Sequence, residues 1–236
     1  MTGLLVSVRD VEEATEVLRA GVDVVDVKEP ADGSLGAASP QVWQQVVDQL
    51  AGSVPVSLAL GELRDEELGQ RLAGIPAGTA YVKIGLAGCQ HEAGWRNRWR
   101  EALEKMPAGT SPVAVVYADR ERARSPLPAE ILEAAGDLGC AAVLVDTFDK
   151  QAGTLLDHWP PARLWEHARR VRQRGMRVVL AGSLDEAAIR LLATPAIDLL
   201  AVRGAACRGA RDGQLDPLLV AGLVGLVCQP HAAGPS

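Results

Sequence analysis

Lysine is scarce in this chain. Of 24 basic residues, 20 are arginine and four are lysine: Lys28, Lys83, Lys105 and Lys150. Where arginine fills nearly every basic role, a retained lysine can do what a guanidinium cannot. Its amine can lose a proton and attack a carbonyl to form a Schiff base. Burial or a neighbouring ammonium brings its pKa toward neutrality. Two of these lysines have an aspartate close by in sequence. "AGVDVVDVKEP" carries Asp26 and Lys28 two residues apart, and "VDTFDK" carries Asp146 and Lys150 four apart; "YVKIGL" holds Lys83. Carboxylates beside an amine can move the protons of carbinolamine dehydration and enamine formation. The competing reading is structural, a Lys–Asp network filling an interior. Inward charges cost several kcal/mol each unless paired. The recurrence of a retained lysine on three separate segments, two of them with an aspartate, favours chemistry.

These segments are strands. Short apolar, mostly aliphatic runs fall at 4–8, 24–28, 54–60, 81–86, 112–118, 141–147, 177–182 and 199–204. Amphipathic helical patterns follow them at 10–21, 39–52, 65–74, 92–106, 128–138, 161–174, 184–193 and 213–227. Asp10 and Ser39 are placed as N-caps, Pro40 at the first helical position, and Gly21 as a stop. Near-continuous apolar strands are those of a parallel sheet covered by helices. Eight strand–helix pairs predict an α/β fold, a single (β/α)8 TIM barrel over 1–228, with a disordered tail at 229–236. The rival, a doubly wound open sheet, usually has fewer strands, and no GxGxxG follows a strand. In a barrel, chemistry sits at the C-terminal ends of the strands. Asp26 and Lys28 close strand 2 and share one face of it. Lys83 lies in strand 4, and Asp146 ends strand 6 with Lys150 in its loop. Lys105 sits at a helix end, an ordinary place for a solvated charge.

A second signal follows strands 7 and 8. "LAGSLDEAA" puts Gly182 and Ser183 before a helix, and "VRGAACRG" puts Arg203 and Gly204 at the next strand end. Barrels commonly bind phosphate there on backbone N–H groups and a helix N-terminus. A third glycine-rich loop, "ADGSLGA" (31–37), adjoins Lys28 and brings Ser34. It reads either as a plain turn or as a lid or second phosphate contact. His91 and His158 lack ligand spacing and are expected at the surface. Ser57 and Asp119 are candidates for the mouth, and Tyr117 is expected to pack half-buried.

The remaining composition narrows the partners. A net charge of −6 with no basic run argues against nucleic acid. The start "MTGLLVSVRD" has no signal-peptide pattern, and no long uncharged apolar run is present, so neither export nor membrane insertion is expected. Cys89, Cys140, Cys207 and Cys228 are widely spaced and read as reduced thiols of a cytoplasmic protein, with no zinc pattern. No metal or cofactor is expected, since an amine can itself activate a carbonyl.

"DVKEPADGSLGA" (26–37), "YVKIGL" (81–86), "VDTFDKQAGTLLDH" (145–158), "LAGSL" (180–184) and "VRGAAC" (202–207) together resemble the (5-formylfuran-3-yl)methyl phosphate synthase family. The resemblance runs from the first strand to the last. It implies a barrel lyase that condenses two molecules of glyceraldehyde 3-phosphate into a furan aldehyde phosphate, in the biosynthesis of methanofuran-type cofactors. It implies active-site roles for Asp26 and Lys28, for Lys83, and for Asp146 with Lys150. Glu29 stands where archaeal members are expected to have Asn, and the segment 61–75 is shorter. Triose phosphates are the expected partners, and a homo-oligomer the expected assembly. A Schiff-base aldolase on another sugar phosphate, a phosphosugar isomerase and a non-catalytic phosphate-metabolite-binding barrel remain alternatives.

Overall fold

The computed structural model describes residues 1–228; the tail expected to be disordered, 229–236, lies outside the described residues. Eight strands close into a parallel barrel in sequence order, β1-β2-β3-β4-β5-β6-β7-β8. They are β1 (Gly3–Val8), β2 (Val24–Val27), β3 (Val56–Glu62), β4 (Tyr81–Gly85), β5 (Ser111–Tyr117), β6 (Ala142–Asp146), β7 (Arg177–Leu180) and β8 (Leu199–Val202). The helices are α1 (Val11–Ala20), α2 (Pro40–Leu50), α3 (Leu68–Ala73), α4 (Trp95–Leu103), α5 (Arg120–Ala123), α6 (Pro128–Asp137), α7 (Leu155–His158), α8 (Pro161–Arg172), α9 (Glu186–Leu192) and α10 (Pro217–Val227). Single 3-10 turns follow β2 at Pro30–Asp32 and β8 at Gly204–Ala206. The (β/α)8 expectation is met, and the open-sheet rival is excluded by the β1–β8 pairing.

Side chains alternate along each strand, so the barrel has two apolar layers. Between sheet and helices lies a core of aliphatic residues with Trp43, Trp95, Trp99 and Trp159. Inside the barrel lies a smaller cluster containing Leu5, Val24, Val113, Val115, Leu144, Val179 and Leu199. Three inward positions, Ala59, Ala181 and Ala201, are small. They leave space toward the C-terminal end of the barrel instead of filling it.

The caps explain where helices begin. Asp10 accepts from the Glu13 amide, and Ser39 from the Val42 amide with Pro40 behind it, as the sequence predicts. The helix expected over 213–227 starts at Pro217, because Asp216 takes the N-cap position and accepts from the Leu218 amide. The helix expected over 65–74 starts at Leu68, because Asp65 is used to accept from the Glu62 amide and Arg71. No helix among the described residues is long and apolar enough to cross a membrane.

Candidate active site

The polar residues of the strands converge. Ser7, Asp26, Lys28, Lys83, Asp146, Lys150, Gly182, Ser183, Arg203 and Gly204 all line one cavity of about 830 Å³ at the C-terminal end of the barrel. The register accounts for this. Ser7 pairs with Asp26 across β1–β2, and Tyr117 with Asp146 across β5–β6, so same-facing residues form adjacent rungs. Lys28 follows Val27 and faces inward with Asp26. All three strand-associated lysines therefore reach one space, while Lys105 does not line it.

Two of the three amines are paired. Lys83 Nζ donates to Asp26 Oδ1 in a buried ion pair, and Ser7 Oγ donates to Asp26 Oδ2 at 3.1 Å. Lys150 Nζ donates to Asp146 Oδ1 and to the Thr147 carbonyl, both at 2.5 Å. Asp146 Oδ1 also accepts from the Thr147 amide at 2.8 Å. Burial alone would raise the Asp146 pKa, but Lys150, Lys28 and the hydrogen bonds from Lys150 and Ser34 hold it below the usual carboxylate value. It is therefore an acceptor at neutral pH.

Lys28 is different. Its ammonium finds no hydrogen-bond acceptor among the described residues, yet the side chain is 9% exposed. Burial lowers its pKa to about 8, against the pull of Asp146 and Asp26 and with smaller help from Lys150 and Lys83. Of the two expected causes, burial and a neighbouring ammonium, burial is the larger. Asp26 neutralises much of the Lys83 charge, and desolvation outweighs repulsion.

The loop 31–37 is a fixed turn and not a free lid. Glu29 N–H donates to the Gly36 carbonyl at 2.8 Å, and Leu35 is buried in the inner cluster. A Cβ on Gly36 would sit 2.2 Å from the Glu29 carbonyl oxygen, so only glycine permits this closure. Ser34 is not free to hold a phosphate, because its hydroxyl bonds within the protein, facing Asp146 Oδ2 at 2.8 Å and the Thr147 carbonyl at 3.0 Å. In an eight-stranded closed barrel β2 and β6 lie opposite, so this contact carries the β2 loop across the mouth.

Arg203 is also corrected. Its guanidinium is buried and donates to Glu13, to the Ser7 carbonyl at 3.0 Å, to the Arg211 carbonyl at 3.0 Å and to the Gly213 carbonyl at 3.1 Å. No donor remains for an anion. The loops after β7 and β8 keep their backbone donors. The N–H groups of Gly182, Ser183, Gly204 and Ala205 have no acceptor among the described residues, while Asp185 already occupies the α9 N-terminus by accepting from Ala188 N–H. Gly182 and Ser183 both hold positive φ, 105° and 53°, and both line the cavity.

Several side chains are placed differently from expectation. Ser57 faces the barrel interior below Lys83 and not the mouth. Tyr117 is 1% exposed and donates to Glu62 Oε1 at 2.5 Å. Asp119 accepts from the amides of Phe148 and Asp149 and so orders the β6 loop. His91 is exposed as expected, whereas His158 is half-buried. Among the described residues no group of His, Cys, Asp and Glu is arranged to hold a metal ion. The sequence reading missed Ser7, whose signal was a polar residue in an apolar strand at the same parity as Leu5. It also missed Arg211, which lines the cavity from the loop before α10 and carries no strand-end signal.

A model of the 4-HFC-P synthase family matches residues 4–224. The (5-formylfuran-3-yl)methyl phosphate synthase of Methanococcus maripaludis strain C6 is 35% identical over 236 residues, covering 94% of this chain and 97% of that one. The enzyme of the same name from Methanocaldococcus jannaschii is 32% identical over 225 residues, covering 92% and 96%. Among solved structures, phosphoribosyl anthranilate isomerase from Thermus thermophilus aligns with a TM-score of 0.62 at 13% identity, covering 96% and 98%. Thiamine phosphate pyrophosphorylase from Pyrococcus furiosus aligns with a TM-score of 0.63 at 14% identity, covering 96% and 95%. At these identities the two structures speak to the barrel fold alone.

Proposed function

The chain belongs to the 4-HFC-P synthase family, and we propose that it condenses two molecules of glyceraldehyde 3-phosphate into (5-formylfuran-3-yl)methyl phosphate through a Schiff base on Lys28. The observation that carries this reading is the state of that amine. Lys28 is buried and unpaired, and it lies between two carboxylate–ammonium pairs that can give and take protons. The product's carbon count agrees. A furan ring with a formyl and a hydroxymethyl carbon has six carbons, which two trioses supply. Two triose phosphates then yield one furan phosphate, one orthophosphate and two waters, with all atoms accounted for.

Each group has a step. The neutral Lys28 amine attacks the carbonyl of one triose phosphate in its keto form. Asp146, held ionised, takes a proton as the carbinolamine loses water, with the bonded Lys150 ammonium as the acid on the other side. Proton removal from the second triose, by Asp146 or Asp26, gives an enediolate that expels its phosphate, and the terminal carbon of the resulting three-carbon enol adds to the Lys28 iminium carbon, which builds the branched skeleton of the product. Closure of the first triose's hydroxyl onto the ketone of the second, loss of one further water and elimination of the Lys28 amine produce the furan. Aromatisation makes the sequence strongly downhill. The free amides of the β7 and β8 loops hold the phosphate of the first triose. The product would feed the biosynthesis of a methanofuran-type carrier.

Incubation with glyceraldehyde 3-phosphate is the test, with the product read by ultraviolet absorbance and by mass. A furan aldehyde phosphate is expected, and borohydride should trap one triose-derived adduct on the peptide containing Lys28. A six-carbon aldol without furan absorbance would move the reading to a Schiff-base aldolase. Furan formed with no adduct on any lysine would remove the covalent mechanism.

A further inference from the structure

A reaction that joins two phosphorylated trioses brings two phosphates to one mouth, and the β7 and β8 amides supply one anion site. The β2 loop, bridged to β6 through Ser34, divides the mouth. Beyond that bridge lies an open groove of about 650 Å³, lined by Gly33, Ser34, Arg122, Phe148, Lys150 and Arg211 among others. Lys150 and Arg211 line both the groove and the main cavity, so they stand where the two spaces meet. Arg211 Nη2 donates to the Gly33 carbonyl at 3.0 Å, which fixes the plane of its guanidinium. Its Nε and Nη1 have no acceptor among the described residues. Arg122, at the edge of the groove, is paired with Asp149. The backbone that carries Arg211 is anchored independently of its side chain, since the buried Arg203 donates to the Arg211 and Gly213 carbonyls.

We infer that Arg211 forms a second phosphate subsite on the far side of the Ser34 bridge, which holds the phosphate of the second triose, with the charge of the bonded Lys150 ammonium nearby. The inference rests on the two-triose reading above. The chemistry is that of a phosphate monoester dianion. An arginine with two free donors can grip two of its oxygens, and an ammonium beside it adds charge. This placement sets the second triose against the Lys28 Schiff base, because both subsites border the same cavity. It also makes Arg211 a specificity residue. An unphosphorylated aldehyde would lack the group the arginine is positioned to hold.

The test titrates the whole protein with inorganic phosphate by calorimetry, and follows condensation and borohydride trapping in parallel. Wild type is expected to bind two phosphates and Arg211→Met one. The variant should still form the Lys28 adduct with a triose phosphate, while its KM for condensation rises about ten- to a hundredfold, the loss of a charge-assisted bond. Arg211→Lys, which keeps the charge, should bind two phosphates and recover part of the KM. It also serves if Arg211→Met proves unfolded by its thermal midpoint. One phosphate on wild type, two on Arg211→Met, or loss of the Lys28 adduct in that variant would each overturn the subsite. Because phosphate stoichiometry is read without turnover, a wild type that binds two phosphates and makes no furan would reject the reaction and keep the subsite.

Discussion

The attack on a carbonyl proposed for Lys28 needs an amine that is neutral some of the time, and burial favours that form. With a pKa of about 8 it is a minor but substantial free base at neutral pH. The rate of adduct formation should therefore rise close to tenfold per pH unit below about 8 and level off above it. A profile flat through that region would place the covalent step elsewhere. The same shift acts on stability. A lysine whose folded pKa lies below its ordinary 10.5 holds fewer protons folded than unfolded between those values. Stability should then increase as pH rises through this window, by roughly 3 kcal/mol in the limit. Chemical unfolding of wild type and Lys28→Met at several pH values measures it, and wild type must gain stability relative to the variant as pH rises from about 8 toward 10.5. Lys28→Arg keeps a charge that cannot be lost and should fold without adduct or turnover. Asp146→Asn removes the proton acceptor but keeps hydrogen-bonding atoms, and should lower kcat by about 10²- to 10⁴-fold with the adduct slowed.

At the scale of elements, the phosphate site proposed on the β7 and β8 loops relies on backbone shape, so its sensitive residue is one without a side chain. Gly182 holds φ at 105°, and a Cβ there would lie 3.1 Å from both Leu155 Cβ and Thr147 Cγ2. Gly182→Ala should cost about 1–3 kcal/mol of stability and raise KM for triose phosphate, with the Lys28 pH profile unmoved. Unchanged KM in a folded variant would place the first phosphate off this loop. These strand ends were legible because near-continuous aliphatic runs mark the strands of a covered parallel sheet and a barrel places function at one end of all of them. Helix limits were less legible. A candidate cap can be used elsewhere, as Asp65 is by the Glu62 amide and Arg71. The four-residue helices α5 and α7 are too short to show a period. The loop 31–37 could not be separated into turn or lid by composition. Its fixed form depends on Ser34 meeting Asp146, 112 residues away.

At the scale of the whole molecule, closure of the barrel joins the first strand to the last, and one buried pair secures that seam. Arg203 follows β8, and Glu13 lies in α1 directly after β1. Their contact spans 190 residues of chain. The strand-end position of Arg203 in the sequence could not show that its donors were already used, because nothing local marks Glu13 as its partner. Arg211, eight residues on, carries no strand-end signal and has donors to spare. Burial pushes the Glu13 carboxyl up, yet Arg203 and Arg9 hold it below the ordinary carboxylate value. The pair therefore stabilises above the unfolded pKa of glutamate and weakens as acid protonates Glu13. Arg203→Met leaves Glu13 with Arg9 as its remaining cation and releases the carbonyls of Ser7, Arg211 and Gly213 together. It should cost about 1–3 kcal/mol in denaturant unfolding, and Arg9→Met with Arg203→Met, which does strand the buried carboxylate, should cost distinctly more. The variants must also differ in the second phosphate subsite. Arg203→Met frees the loop that carries Arg211, so it should weaken the second phosphate while the first, on the β7 amides, still binds. Equal loss of both phosphates would mean that the pair supports the whole mouth, and no loss of either would confine it to holding the barrel closed.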